Sequence, residues 1–247
     1  MINAEDFNSV VQILESRTKI LSLNVQQMRL EHYQYAQELK VLDAKLYRLM
    51  ESKTKYDFVS CINVGNSLLV GEGNLSFTMS LIKQLQQSPS CISSTYENYS
   101  DLSNLAQSNT VLLKNLGINI LHNVDATKLH KKFNQNFFDT VIFQFPHSGS
   151  REGINGLNPN YVLVHDFIIS ASRVLKKNGM IIITIVDSDF YNNMFRFEEL
   201  SQDLGIPKPI KYKFDPKDYP GYEHTMTHQD ESGIEDYSAF ATVEFRI

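Results

Sequence analysis

Cysteine is nearly missing: Cys61 and Cys91 are the only two in 247 residues, with no Cys-x-x-Cys pair and no Cys/His spacing suited to zinc. That excludes a disulfide scaffold and a structural metal site, and it reads as a chain that keeps reduced thiols in the cytoplasm. No apolar run approaches the roughly 18 residues needed to cross a bilayer, so no membrane association is expected. The acidic start Met1-Ile2-Asn3-Ala4-Glu5-Asp6 has neither the basic residues nor the apolar stretch of a secretion signal. Positive charge is not in excess either, with 23 Lys and Arg against 28 Asp and Glu. Residues 1–57 carry eight of each sign, so residues 58–247 hold the whole net charge of −5. That balance argues against a strong, sequence-independent grip on naked nucleic acid, which needs phosphate-neutralising surface. Lysines do cluster locally, at Lys128/Lys131/Lys132 and at Lys208/Lys211/Lys213/Lys217. Glycine and proline are missing from the first 64 residues, which removes the usual helix breakers there.

What occupies that stretch is a four-three apolar repeat. Phe7, Val11, Leu14, Thr18, Leu21, Val25, Met28, His32, Tyr35, Leu39, Leu42, Leu46 and Leu49 trace the seam of a coiled coil. A helix of about 43 residues extends roughly 64 Å at 1.5 Å per residue, too long to bury alone. Self-association or capture of a partner through this helix is therefore expected, with a helical hairpin folded on its own domain as the alternative. A parallel pair would set Glu38 near Asp43 of its mate. An antiparallel pair centred near Val25 and Met28 instead brings Arg17 towards Glu38, so the flanking charges favour antiparallel. His32 and Thr18 are read as register devices.

After Tyr56 short apolar runs alternate with helical segments, the pattern of a largely parallel sheet. Strands are predicted at 67–71, 91–96, 118–122, 138–144 and 180–186, and helices at 75–87, 101–116, 127–133, 160–177 and 193–204. An antiparallel closing pair is predicted at 208–214 and 239–246. The division is an N-terminal heptad helix, residues 1–57, and one α/β domain, residues 58–247.

In such sheets ligands sit beyond the carboxyl ends of the strands. The first strand delivers Gly71-Glu72-Gly73-Asn74 and runs into Leu75-Ser76-Phe77, a turn that lets a nucleotide-like ligand lie against bare backbone. The third glycine of the dinucleotide fingerprint is lacking. The second strand ends near Glu97, placed to accept from ribose hydroxyls, and the third is followed by Asp125, placed to accept from an adenine amino group. Acidic residues at such positions also serve as helix caps. The fourth strand leads through Gln144 into the stiff turn Phe145-Pro146-His147, where His147 is the best candidate general base. The late loop Phe214–Thr225 sets Tyr219, Tyr222 and His224 beside lysines, suited to stacking an unpaired base or to a structural turn covering the sheet edge.

These stretches, together with Val124-Asp125-Ala126-Thr127-Lys128-Leu129-His130 and Tyr219-Pro220-Gly221-Tyr222-Glu223-His224, resemble the large-subunit rRNA (uridine-N3)-methyltransferase-like family over roughly residues 66–230. That family is a branch of the class I S-adenosylmethionine-dependent methyltransferases. The resemblance implies a Rossmann-like, doubly wound, mostly parallel seven-stranded sheet with an antiparallel last strand. It implies S-adenosylmethionine as cofactor, an RNA substrate that is ribosomal in the family, a uracil nitrogen as acceptor, and no metal. Carried over by position, Gly71, Glu72, Gly73, Asn74, Leu75, Ser76 and Phe77 would hold the methionine part of the donor. Glu97 would bind the ribose, and Asp125 with Ala126 the adenine. Phe145 would border the cofactor, Gln144, Pro146 and His147 would face the acceptor, and Tyr219, Tyr222 and His224 would meet the substrate. The sequence departs from the family where Asn74 and Glu97 each replace Asp, where Gln144 replaces Asn, and after the fifth strand, where Val186-Asp187-Ser188-Asp189-Phe190-Tyr191 lacks a Lys-x-Gly. Two further readings stay open, an inactive methyltransferase-like module for coiled-coil assembly and an enzyme acting on a small molecule.

Overall fold

The computed structural model describes residues 4–51, 55–85, 89–150, 153, 156–225 and 233–247. Two compact units divide the chain at Met50. The first is a single unbroken helix, α1 (Ala4–Glu51), which leaves no room for a hairpin within it. The side chains of Phe7, Leu46 and Leu49, and the last residues of the helix expected at 75–87, lie outside the described part.

The second unit begins within the stretch assigned above to the helix. Lys55 bridges to Lys213, and Tyr56 is buried beneath Tyr212 and Phe58. A short helix that spacing alone does not reveal follows, α2 (Phe58–Asn63), started by the Asp57 carboxylate accepting from Ser60 N at 2.9 Å. Then come β1 (Ser67–Val70), α3 (Ser76–Lys83), β2 (Cys91–Ser94), α4 (Asn104–Asn115), β3 (Asn119–Leu121), β4 (Phe138–Gln144), α5 (Pro159–Val174), β5 (Leu175–Val186), α6 (Asp189–Phe195), α7 (Phe197–Asp203), β6 (Ile210–Phe214) and β7 (Phe240–Arg246). The sheet order is β3-β2-β1-β4-β5-β7-β6, parallel from β3 to β5, with β7 antiparallel to both its neighbours.

Both faces of this sheet are covered. Val164, Phe167 and Ala171 of α5 pack with Phe195, Leu200 and Leu129 on one side. On the other, Phe58, Phe77, Leu81 and Leu113 from α2, α3 and α4 pack over Leu69, Ile142 and Ile182. Burial on both faces explains why β1, β4 and β5 read as continuous apolar runs rather than alternating ones.

Three expectations shift in detail. The helix predicted at 160–177 stops at Val174, because Leu175 is already extended and pairs with Phe138. Lys176–Gly179 then bulge out of β5, with Asn178 left-handed at φ 65°, before pairing resumes at Met180. The helix predicted at 193–204 is two helices, broken where Arg196 takes φ 43° so that Phe195 and Phe197 stack at 5.3 Å. The segment predicted as a helix at 127–133 is a tight 3-10 turn over Ala126–Lys131.

Candidate functional site

Strand order reverses between β1 and β4, and the carboxyl ends of β1 to β4 all open on that edge. Backbone strain gathers there. Leu75, Asn123 and Phe145, following β1, β3 and β4, take left-handed conformations at φ 63°, 57° and 47°. Non-glycine residues hold such angles only where their surroundings dictate them.

The turn after β1 is built from inside. Gly71 has φ 65°, and a Cβ there would lie 2.4 Å from the Phe143 ring, so only glycine fits. Leu75 offers no side chain to cap α3. The buried Glu72 carboxylate supplies the cap, accepting from Thr78 N at 3.1 Å and from its hydroxyl at 3.0 Å. Burial lifts the Glu72 carboxyl to about 7 despite those donors. Asn74 turns its side-chain oxygen to Ser76 N, while its carbonyl accepts from Asn109 of α4 at 2.8 Å.

A strap from the late loop lies across this turn. The Glu223 carbonyl accepts from Asn74 Nδ2 at 3.1 Å and from Ser76 Oγ at 2.9 Å, and Glu223 N donates back to Ser76 Oγ. Thr225 Oγ1 sits where a Gly73 Cβ would come within 2.8 Å. The His224 ring meets Phe145 edge-on at 5.1 Å. Burial and then the nearby His147 press its pKa down to about 4, which keeps that ring neutral. The structure thus brings Gly71–Ser76, Phe145 and His224 together. Tyr219 is different: it is core, stacked on Phe214 at 5.3 Å, with its hydroxyl donating to Tyr56 O. Tyr222 packs edge-on against Phe77, and burial raises its phenol. Neither tyrosine ring is offered to a base in this arrangement, because the aromatic core takes both.

The ends of β2 and β3 are tied to each other. Asn123 N donates to Glu97 O and Val124 N to Thr95 O, at 2.9 and 3.0 Å. Sequence reasoning missed His122, which sits between them. The Thr95 hydroxyl donates to Glu97 O, so its 2.9 Å contact with His122 Nδ1 needs a proton on that nitrogen. His122 Nε2 is then a bare acceptor, buried and without a hydrogen-bond partner among the described residues. Burial, and after it Lys114, lowers its pKa and holds it neutral. Asp125 is the cap of the Ala126–Lys131 turn, accepting from Thr127 N and its hydroxyl, and is paired with Lys128. Partial burial opposes ionisation of Asp125, yet the Lys128 and Thr127 donors hold its carboxyl below the usual range. Ala126 beside it is buried.

At the end of β4, alternation puts Gln144 on the same face as Ile142. Both polar atoms of its amide are buried, with no hydrogen-bond partner among the described residues. Pro146 is buried and His147 exposed. His147 Nδ1 accepts from Gly149 N at 3.0 Å. A neutral imidazole that accepts at Nδ1 carries its proton on Nε2. In that tautomer the ring offers a donor at Nε2. The next residue is anchored by Asn160, whose side-chain oxygen accepts from Ser148 N at 2.7 Å. Among the described residues no group of His, Cys, Asp and Glu is arranged to hold a metal ion.

Comparison with known proteins bears on this edge. The BMT5-like family, described as rRNA (uridine-N3-)-methyltransferase BTM5-like, matches residues 68–226. Heavy metal-associated isoprenylated plant protein 41 of Arabidopsis thaliana is 34% identical over 165 residues, 64% of this chain and 32% of that protein. An uncharacterised Arabidopsis thaliana protein, At4g26485, is 29% identical over 165 residues, 63% of this chain and 78% of its own length. The chain thus spans about a third of the first relative and over three-quarters of the second. Among solved structures, a SAM-dependent methyltransferase from Aquifex aeolicus aligns with a TM-score of 0.44 and 12% identity, over 77% of this chain and 87% of that one. That structural likeness is too slight to carry an argument.

Proposed function

Because the chain belongs to the BMT5-like rRNA (uridine-N3-)-methyltransferase family, we propose that it is an S-adenosylmethionine-dependent methyltransferase whose acceptor is a uridine nitrogen in RNA, ribosomal RNA above all. The observation that carries the acceptor half is Gln144, a buried amide at the turn after β4 with both polar atoms unpartnered among the described residues. An unpartnered buried amide costs about 1–3 kcal/mol, a penalty that a complementary ligand edge removes. The imide of uracil is such an edge, with a ring N–H between two carbonyls.

The donor supplies a methyl group on a sulfonium. For this chain's residues the task is to hold that cation and to make the acceptor nucleophilic. Glu97 and the bare Nε2 of His122 suit ribose and adenine donors, and the glycine turn suits the amino-acid end. A uracil nitrogen must lose its proton to become a nucleophile. Its negative charge then spreads onto the flanking carbonyls, where the Gln144 amide N–H and the His147 Nε2–H serve as stabilising donors. With the donor bound, these residues would hold the acceptor nitrogen while the sulfonium supplied its methyl group, the ring proton having gone to solvent. Cytoplasm or nucleolus is the compartment that fits an rRNA substrate.

Titration calorimetry with S-adenosylmethionine and S-adenosylhomocysteine tests the first half, with micromolar binding expected and weakening in Glu97→Ala. Absence of heat with either ligand rejects donor binding. Transfer of labelled methyl into RNA from cells lacking the protein, read as 3-methyluridine, tests the second. His147→Ala and Gln144→Ala should keep donor affinity and slow transfer by about 10²-fold. Label found only in the small-molecule extract favours the metabolite acceptor instead.

A further inference from the structure

The seam of α1 is uncovered. Leu14, Leu21, Met28, Tyr35, Leu39 and Leu42, all on one heptad stripe, are each 56–64% exposed. A stripe of this kind across a soluble protein marks an association surface. We propose that it is covered by a second copy of the same helix running antiparallel, with Val25 of each copy against Met28 of the other. This goes beyond the methyltransferase reading and does not depend on it.

The charges beside the seam select the arrangement. A parallel, in-register pair matches each g position with the e position five residues on. That juxtaposes Glu38 and Asp43 on both sides and makes no opposite-charge pair. Turning one helix around pairs g with g and e with e. With Val25 over Met28, Arg17 faces Glu38 of the second copy at both ends, Asn24 faces Glu31, and no like charges meet. In the same register Val11 covers Leu42, Leu14 covers Leu39, Thr18 meets Tyr35 and His32 meets Leu21, so the helices overlap along their whole length. Sliding by one heptad in one direction opposes Glu31 to Glu31 and Arg29 to Arg29. Sliding the other way exchanges Arg17 with Glu38 for two other kinds of exposed ion pair, Arg17 with Glu31 and Glu15 with Arg29. It also leaves Leu42 facing only Ala4 and the seam beyond it without a mate, and burying a leucine outweighs an exposed ion pair several-fold.

Sedimentation equilibrium of the full chain is expected to give twice the 28.3 kDa of one chain at micromolar concentration, reverting to one chain in Leu21→Asp. Glu38→Arg turns both attractive pairs repulsive, raising the dimer dissociation constant about tenfold or more, and Arg17→Glu with Glu38→Arg restores it. In a parallel pair Glu38→Arg would relieve repulsion and tighten the dimer, so the sign of its effect decides the orientation. Oxidation of a mixture of Val25→Cys and Met28→Cys chains should join the two variants through those positions. A single-chain mass throughout the micromolar range, tightening by Glu38→Arg, or efficient joining of Val25→Cys to itself each overturns the proposal. The first of these results would leave the seam to a different protein or to another part of this chain.

Discussion

Helices α1 and α5 are built from similar apolar residues and differ in where those residues go. In α5, Val164, Phe167, Ile168 and Ala171 recur at helical spacing on the stripe that meets β4 and β5, and all are fully buried. In α1 the three-four repeat runs for about twelve turns, and Leu21 is 64% exposed. The period makes the difference. A stripe that fits one face of a twisted sheet for four turns is satisfied inside its own unit, whereas a heptad stripe three times as long matches only another long helix. Hydrophobicity drives both, and in α5 it is spent inside the α/β unit.

Substitutions can break or sharpen that contrast. Phe167→Ala should cost about 3–5 kcal/mol, read as a lowered denaturation midpoint, because it opens a cavity against Phe143. Gly71→Ala should cost about 2–4 kcal/mol by combining left-handed strain with overpacking on Phe143, and should abolish donor binding in calorimetry. Glu72 gives the α/β unit a pH dependence of definite sign. Its carboxyl is raised in the folded state from 4.5 to about 7. The folded form therefore holds its proton longer than the unfolded chain, and stability falls as pH rises from near 4.5 through about 7. The full loss is about 3 kcal/mol, and Glu72→Gln should flatten that slope while keeping an acceptor for Thr78. Ser103→Ala removes the α4 cap on Ala106 N and should cost about 1 kcal/mol. At the bottom of the scale, Leu21→Ala in α1 should leave hydrogen exchange of the β4 and β5 amides unchanged. Faster exchange there, as large as that from Phe167→Ala, would show that the two helices are not energetically separate.

Legibility from sequence followed the range of the interactions. The heptad stripe, the spans of the strands and the glycine turn at Gly71 were readable because each is a local pattern of residue types. The helix α2 was hidden by its six residues, and the bulge at Lys176–Gly179 by an apparently continuous helix-to-strand run. For the site, Glu72 and Asn74 could be named from the motif, but not that Glu72 caps α3 while Asn74 holds the strap. His122 and Thr225 carry no spacing signal, since their partners Thr95 and Gly73 lie 27 and 152 residues away.

By itself the sequence determined which residue types stand at each strand end and which face of α1 is apolar, because periodicity and glycine placement are written residue by residue. Only the tertiary structure decided what those groups do. It turned Asp125 into a cap, committed the Tyr219 ring to the core and fixed His147 as a donor through the Gly149 amide. Each of these outcomes depends on which nitrogen, hydroxyl or ring arrives within hydrogen-bonding or packing distance: turn geometry two residues on sets it for Asp125 and His147, and a distant segment folding against Tyr56 sets it for Tyr219.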